Sequence, residues 1–241
     1  MCQGGVAAVG AARLRATGVV VVTDDGEQVP ATPAATVIVA RDAPVGLEVL
    51  LLRRSDVGAF AGMWVFPGGR VDAADPGDDE LERARHAAAR EAREEVGVHV
   101  APAELVPFSH WTPPVRVATR RFATWFFVAP WAGDDIAVDG HEIVDHQWLA
   151  PLDAVAAGLP LAPPTWVTLH HLAAAGSLAA IQATPPVVER YLTRPAAVDG
   201  VPVLLWHGDI GYDGGAPDGV GARHRLWMPA DGGWRYERHA G

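Results

Sequence analysis

The chain has 241 residues, enough for one large domain or for one domain carrying an extension. Hydrophobic residues make up 49% of it, which suits a buried core and excludes a disordered chain. The formal charge is −10 and all 19 lysine-plus-arginine positions are arginine; with no basic run, the chain is not expected to bind nucleic acid.

Residues 1–16 read as a flexible tail. They hold Cys2, the one cysteine, so a disulfide framework and a cysteine-rich zinc site are both excluded. A lone cysteine fits a reducing compartment, and a cytoplasmic location is the expectation. Glycines and Arg13 and Arg15 break the early apolar run, so neither a secretion signal nor a membrane span is expected.

"GVVVVT" (18–23), "ATVIVA" (35–40) and "LEVLLLRR" (47–54) are β-branched or leucine-rich runs separated by turn-formers, and are predicted strands. "MWVFPGG" is a further short strand ending in a proline-glycine turn. A helix is predicted from Glu80 to Val96, capped by Asp78 or Asp79 and stopped by Gly97. Leu81, Ala84, Ala88, Ala92 and Val96 form its thin apolar stripe.

"LVPFSHW" and "RRFATWFFVAP" follow as strands; the second is apolar on both faces and so central. "HEIVDHQWL" is a strand, and "PLDAVAAG", "PPTWVTLHHLAAAG" and "SLAAIQA" are helices. Beyond Pro185, "VPVLLWHGD" and "RHRLWMPADGGWRYER" read as strands, the latter folded into a hairpin at "ADGG". Glycine-rich "DIGYDGGAPDGVG" between them is expected to be a mobile loop or lid. The order strands, helix, strands, helices predicts an α/β sandwich with a mixed sheet over residues 17–184. Residues 185–241 form a C-terminal β-rich extension, free to cover the site, bind a partner or support a homodimer.

The helix carries "REAREEVG". At about 100° per residue, Glu91, Glu94 and Glu95 fall within a sector of roughly 100°. Three like charges so close repel unless a cation answers them, and Arg90 reaches Glu94 at i,i+4. Two readings follow. An Arg/Glu-laced solvent face is the commoner; a site for Mg²⁺ or Mn²⁺, which take hard carboxylate oxygens, is the sharper.

"GGRVDAADPGDDELERARHAAAREAREEVGV" resembles the signature of the Nudix hydrolases. Its second half matches through Arg90, Glu91, Glu94, Glu95, Gly97 and Val98, with Ala92 as the small apolar member. Its first half is stretched by seven residues, leaving Asp75 or Glu82 for the first acidic position. "LLLRRSDVGAFAGMWVFPGGRVDAAD" and "HWTPPVRVATRRFATWFFVAP" are similar to flanking stretches of the coenzyme A diphosphatase branch, peroxisomal-type members included.

The resemblance implies a Nudix-type α/β/α sandwich that hydrolyses a nucleoside-diphosphate-linked substrate with Mg²⁺ or Mn²⁺. It implies metal ligands at Glu91, Glu94, Glu95 and the Gly69 carbonyl, with Arg90 orienting the carboxylates. Glu94 and Glu142 are the candidates for catalysis beside Arg90, Glu142 as general base. Arg54 and Arg121 are candidates for a terminal phosphate and Trp111 for stacking on a base. His110, His141 and His146 lack a partner at ligand spacing and read as structural or exposed. Coenzyme A or acyl-CoA, cleaved to 3′,5′-ADP and (acyl-)phosphopantetheine, is the leading substrate. ADP-ribose, a nucleotide sugar or a dinucleotide is the alternative, and a non-catalytic Nudix-fold binding module is the alternative class.

Overall fold

The computed structural model describes residues 20–21, 31–58, 60–114, 121–138 and 140–240. The predicted tail (1–16) and most of the strand expected at 18–23 lie outside them. The chain divides into two compact units, 24–193 and a second that joins 1–23 to 194–241.

The larger unit is built on an eight-stranded mixed sheet. Its strands are β2 (Thr32–Ala43), β3 (Gly46–Arg54), β4 (Trp64–Val65), β5 (Gly68–Arg70), β6 (Val106–Thr112), β7 (Phe122–Pro130), β8 (Ile143–Leu149) and β9 (Glu189–Leu192). The main path runs β4-β3-β2-β7-β6-β9, with β5 added to β2 and β8 to β3. β2 and β7 run parallel at the centre, and so do β6 and β9 at one edge; the other pairings are antiparallel. β2 and β7 are apolar on both faces because each face is covered, as expected of buried central strands.

Helix α1 (Glu80–Val96) covers one face. Asp79 caps it by accepting from the Glu82 N–H at 2.8 Å, and Gly97 ends it in the left-handed conformation at φ 72°. Ala84, Ala87, Ala88, Ala92 and Val96 are its buried stripe. Small side chains there let the helix lie close on Ala35, Val37, Val39, Leu50, Leu52, Trp125 and Phe127. Leu81, expected in the stripe, is only half-buried.

The alternate residues Ile38, Ala40, Val49, Leu51 and Val128 are equally buried on the opposite face. The helices α2 (Pro151–Ala156), α3 (Pro163–Ala175) and α4 (Leu178–Ala183) form a consecutive chain of packed neighbours, with α2 also on β3 and α4 also on β2. The Asp42 carboxylate, at the end of β2, accepts from the Leu178 and Ala179 N–H groups at 2.7 and 3.2 Å and so caps the start of α4.

The second unit is a five-stranded antiparallel sheet in the order β1-β10-β11-β12-β13. It joins β1 (Val20–Val21) to β10 (Arg194–Val198), β11 (Val201–Leu205), β12 (Arg223–Trp227) and β13 (Arg235–His239). Residues 185–193, grouped on the sequence with the extension, fall in the larger unit because Glu189–Leu192 bonds to β6. The β12–β13 hairpin is present, and a second hairpin, β10–β11, turns at Asp199–Gly200. Both turn residues have positive φ, 50° and 78°, as a tight hairpin turn demands.

The segment 209–221, expected to be a mobile loop or lid, is instead folded around a buried ion pair. Arg225 donates to both Asp209 oxygens at 2.7 and 2.5 Å and to the Pro217 carbonyl at 2.6 Å. Asp209 also accepts the Gly211 and His224 N–H groups, so each of its oxygens meets two protein donors.

Candidate functional site

Three pieces of chain meet along the exposed edge of α1: the end of β3, the turn into β5, and the connection before β8. Gly68 and Gly69 bring backbone against the helix. A Cβ on Gly69 would fall on the Glu91 carboxylate, so only glycine admits that side chain there. A Cβ on Gly68 would strike the Ala35 carbonyl and Thr36 in β2. The Gly68 N–H donates to Glu95 Oε2 at 2.9 Å.

Arg90 is the hub. Its Nη1 donates to Glu91 Oε1 at 2.8 Å and Glu94 Oε2 at 3.1 Å, so one nitrogen holds two of the three clustered carboxylates. Its Nε and Nη2 form a bidentate pair with Asp75 at 3.0 and 3.1 Å, and Nη2 also reaches the Arg70 carbonyl at 3.0 Å. Asp72 lies 3.7 Å from the same guanidinium. The pair with Asp75 is the largest influence that holds Arg90 firmly protonated.

These contacts separate the two acidic candidates left by the stretched loop. Asp75 is buried and clamps Arg90, whereas the Glu82 carboxylate accepts from the Asp78 N–H at 3.0 Å and serves the helix cap. Burial alone would raise the Asp75 pKa, but the Arg90 hydrogen bonds and the Asp72 N–H outweigh it and hold the group below the usual range.

Glu91 and Glu95 stand the other way. Burial pushes Glu91 up, Arg90 opposes, and Glu94 and Asp72 add to the rise. Burial pushes Glu95 up to about 7; the Gly68 N–H and Arg54 oppose, while Glu91 and Glu142 add to it. Both are acids crowded by acids in partial dehydration, an arrangement that a cation would relieve. Glu94 is half-exposed and faces solvent. Among the described residues no three histidine, cysteine or acidic side chains already close a coordination group. The carboxylates are turned instead to Arg90 and the Gly68 N–H.

Arg54 extends the cluster. Its Nη1 lies 3.8 Å from Glu95 Oε1, and its Nη2 donates to Glu142. The Glu142 carbonyl receives the Ser55 N–H at 2.8 Å, which ties the segment before β8 to the end of β3. A bulge at Arg53–Arg54 in the β3–β8 pairing turns the chain at this point. Glu91, Glu94, Glu95, Gly69, Arg90, Arg54 and Glu142 are thus brought together, although Arg54 is committed to two carboxylates where an open phosphate contact was expected.

Trp111 and Arg121 are not brought to this edge. Trp111 projects from the sheet face opposite α1, is 3% exposed, and lies face to face with Tyr191 at 3.7 Å between ring centres. That ring face is already covered, which removes the physical basis for the base-stacking expectation. Arg121 donates to the Pro113 carbonyl at 3.1 and 2.9 Å, bracketing the β6–β7 connection. His110 is buried against Trp125, and His146 is half-buried in β8. Gly68 and Asp72 went unnoticed on the sequence; the signal available for Gly68 was its place beside Gly69 in "FPGG".

The model of the NUDIX domain matches residues 30–172, more than half of the chain. The chain belongs to the NUDIX family. Membership makes it a hydrolase acting on diphosphate bonds. Among solved structures, a NUDIX hydrolase from Alicyclobacillus acidocaldarius is 22% identical with a TM-score of 0.58. The match covers 66% of this chain and 98% of that one, and shows a shared fold. A MutT NUDIX hydrolase from Burkholderia pseudomallei is 22% identical at TM-score 0.48, over 58% of this chain and 97% of that one. The NUDIX domain of Shewanella oneidensis NrtR, solved with ADP ribose, is 19% identical at TM-score 0.47, over 60% and 87%. No curated protein matches the chain. Among the described residues of this NUDIX protein, no helix is long and apolar enough to cross a membrane.

Proposed function

We propose that this NUDIX chain hydrolyses a nucleoside-diphosphate-linked substrate with Mg²⁺ or Mn²⁺ held at Glu91, Glu94, Glu95 and the Gly69 carbonyl. The observation that carries the reading is the gathering of Glu91 and Glu94 on one guanidinium beside buried Glu95 and the Gly68–Gly69 backbone. The donor set fits: hard oxygens, two of them on carboxylates destabilised by burial and by each other. A divalent ion bound there supplies charge neutralisation for the diphosphate and activation of the attacking water.

The chain's own groups then divide the work. Arg90, clamped by Asp75, fixes Glu91 and Glu94 and is a positioning residue. Arg54 holds Glu142 next to Glu95. Glu142, more than half exposed, takes the proton of the attacking water as general base. Glu142→Gln is expected to lower kcat by about 100-fold with little change in KM.

The finer substrate reading is coenzyme A or acyl-CoA, cleaved to 3′,5′-ADP and (acyl-)phosphopantetheine. It is supported by "LLLRRSDVGAFAGMWVFPGG" and "HWTPPVRVATRRFATWFF", not by the site geometry. The test is incubation with Mn²⁺ or Mg²⁺ and a panel of coenzyme A, ADP-ribose, nucleotide sugars and dinucleotides, with products identified. Release of 3′,5′-ADP supports the coenzyme A reading, and turnover of ADP-ribose alone sinks it. No turnover of any diphosphate, with metal affinity unchanged in Glu94→Gln, would overturn the whole assignment.

A further inference from the structure

A groove of about 410 Å³ runs along α1 on the side away from Glu95. One wall is a helical stripe, His86, Ala89, Arg90 and Arg93, at the i, i+3, i+4, i+7 spacing of neighbouring turns. Gly97 reverses the chain so that His99 and Val100 come back alongside as the other wall. That wall is held in place: Arg85 donates to the Pro102 carbonyl at 3.1 Å and to the Leu105 carbonyl. The groove is therefore a built feature of the fold.

In a chain with net charge −10, two arginines and two histidines line the groove, and no carboxylate does. Among the described residues, the other arginines of α1 are engaged, Arg83 with the Asp72 carbonyl, Arg85 with the returning wall and Arg90 with Asp75, Glu91 and Glu94. The Arg93 guanidinium is exposed and makes no hydrogen bond or ion pair among them; its backbone carbonyl accepts the Gly97 N–H at 3.1 Å. His99 is exposed too, and its backbone N–H, not its ring, meets Asp134. Between Arg93 and His99, Ala89 and Val100 give the groove an apolar floor.

The geometry points to a second ligand site, one for an organic phosphate such as a nucleotide. Its phosphate meets Arg93 and His99 and its flat apolar body rests on Ala89 and Val100. The Arg93 and His99 donors alone would take inorganic phosphate equally well; the apolar floor is what favours a nucleotide. The site adjoins the carboxylate cluster through Arg90 but does not depend on hydrolysis.

The test uses the whole chain in excess EDTA, so that no turnover occurs and the clustered carboxylates repel phosphate. Binding of ADP, inorganic phosphate and adenosine is followed by calorimetry and by amide NMR shifts. ADP is expected to bind at one site and to move the Ala89, His99 and Val100 resonances. Arg93→Glu is expected to weaken ADP by about tenfold or more, the loss of one charge-assisted hydrogen bond. Inorganic phosphate should bind more weakly than ADP at the same resonances, and adenosine more weakly still. Because Arg93 is exposed, Arg93→Glu and Arg93→Ala should both fold, which thermal melts verify. ADP binding unchanged in both variants overturns the inference, as does phosphate binding as tightly as ADP. Neither result touches the hydrolase reading, which is measured with metal and by product.

Discussion

Two neighbouring glycines make opposite demands on a methyl group. At Gly69 the obstructing atoms are the end of the flexible Glu91 side chain, which can swing aside; at Gly68 they are the Ala35 carbonyl and the Thr36 backbone, which cannot. Gly69→Ala is therefore expected to keep its melting temperature within a few degrees while losing activity and divalent-ion affinity. Gly68→Ala is expected to lower stability by about 1–3 kcal/mol through overpacking, seen as a lower denaturant midpoint. A similar contrast separates Asp75 from Glu82. Asp75→Asn removes a buried charge from the Arg90 clamp and should cost about 1–3 kcal/mol and most of the activity. Glu82→Gln touches an exposed cap and should cost less than about 0.5 kcal/mol with activity intact, and the reverse ranking would sink the assignment. Sequence spacing made both acids eligible, because counting from Gly69 and counting back from Arg90 reach different residues. Only the fold of the 71–79 loop tells which one returns to the guanidinium.

At the scale of elements, α1 was the most legible part of the chain. Its acidic first turn, alanine stripe and terminal glycine all act within a few residues, so local rules suffice to bound it at Glu80 and Val96. Asp79→Ala and Gly97→Ala should each cost about 1 kcal/mol, the first by removing the cap and the second by forcing alanine to positive φ. Chemical denaturation measures both, and hydrogen exchange should show each loss at its own end of the helix. The carboxylate stripe was legible for the same reason: an angular sector on a helix follows from spacing. Partners contributed by distant segments were not. That Arg54 binds Glu95 and Glu142, and that Trp111 turns to Tyr191, depends on the β3–β8 bulge and the β6–β9 pairing. Those pairings join residues about 90 and 80 positions apart, and no local pattern encodes them.

For the whole molecule, the division of the chain gives the second unit an acid limit of its own. In the unit that joins residues 1–23 to 194–241, Asp209 is enclosed with Arg225 and three further hydrogen-bonded backbone groups. Burial alone would raise the Asp209 pKa; the Arg225 hydrogen bonds and the His224 and Gly211 N–H groups outweigh it and hold the pKa below its ordinary value. A carboxyl with a depressed folded pKa contributes stability that is complete above its unfolded pKa of about 3.9 and is lost as pH falls through the lower folded value. The ion pair therefore resists mild acid, and its contribution should stay level from about pH 7 to about pH 5 before falling below about pH 4. Asp209→Asn removes that dependence and leaves a buried guanidinium half-answered, at a cost of about 3–5 kcal/mol. Hydrogen exchange over 201–227 as a function of pH checks both statements. Protection in the wild type should drop only below about pH 4, and in Asp209→Asn it should be low at every pH. A wild type that lost protection in this sheet already near pH 6 would show that another group sets its acid limit.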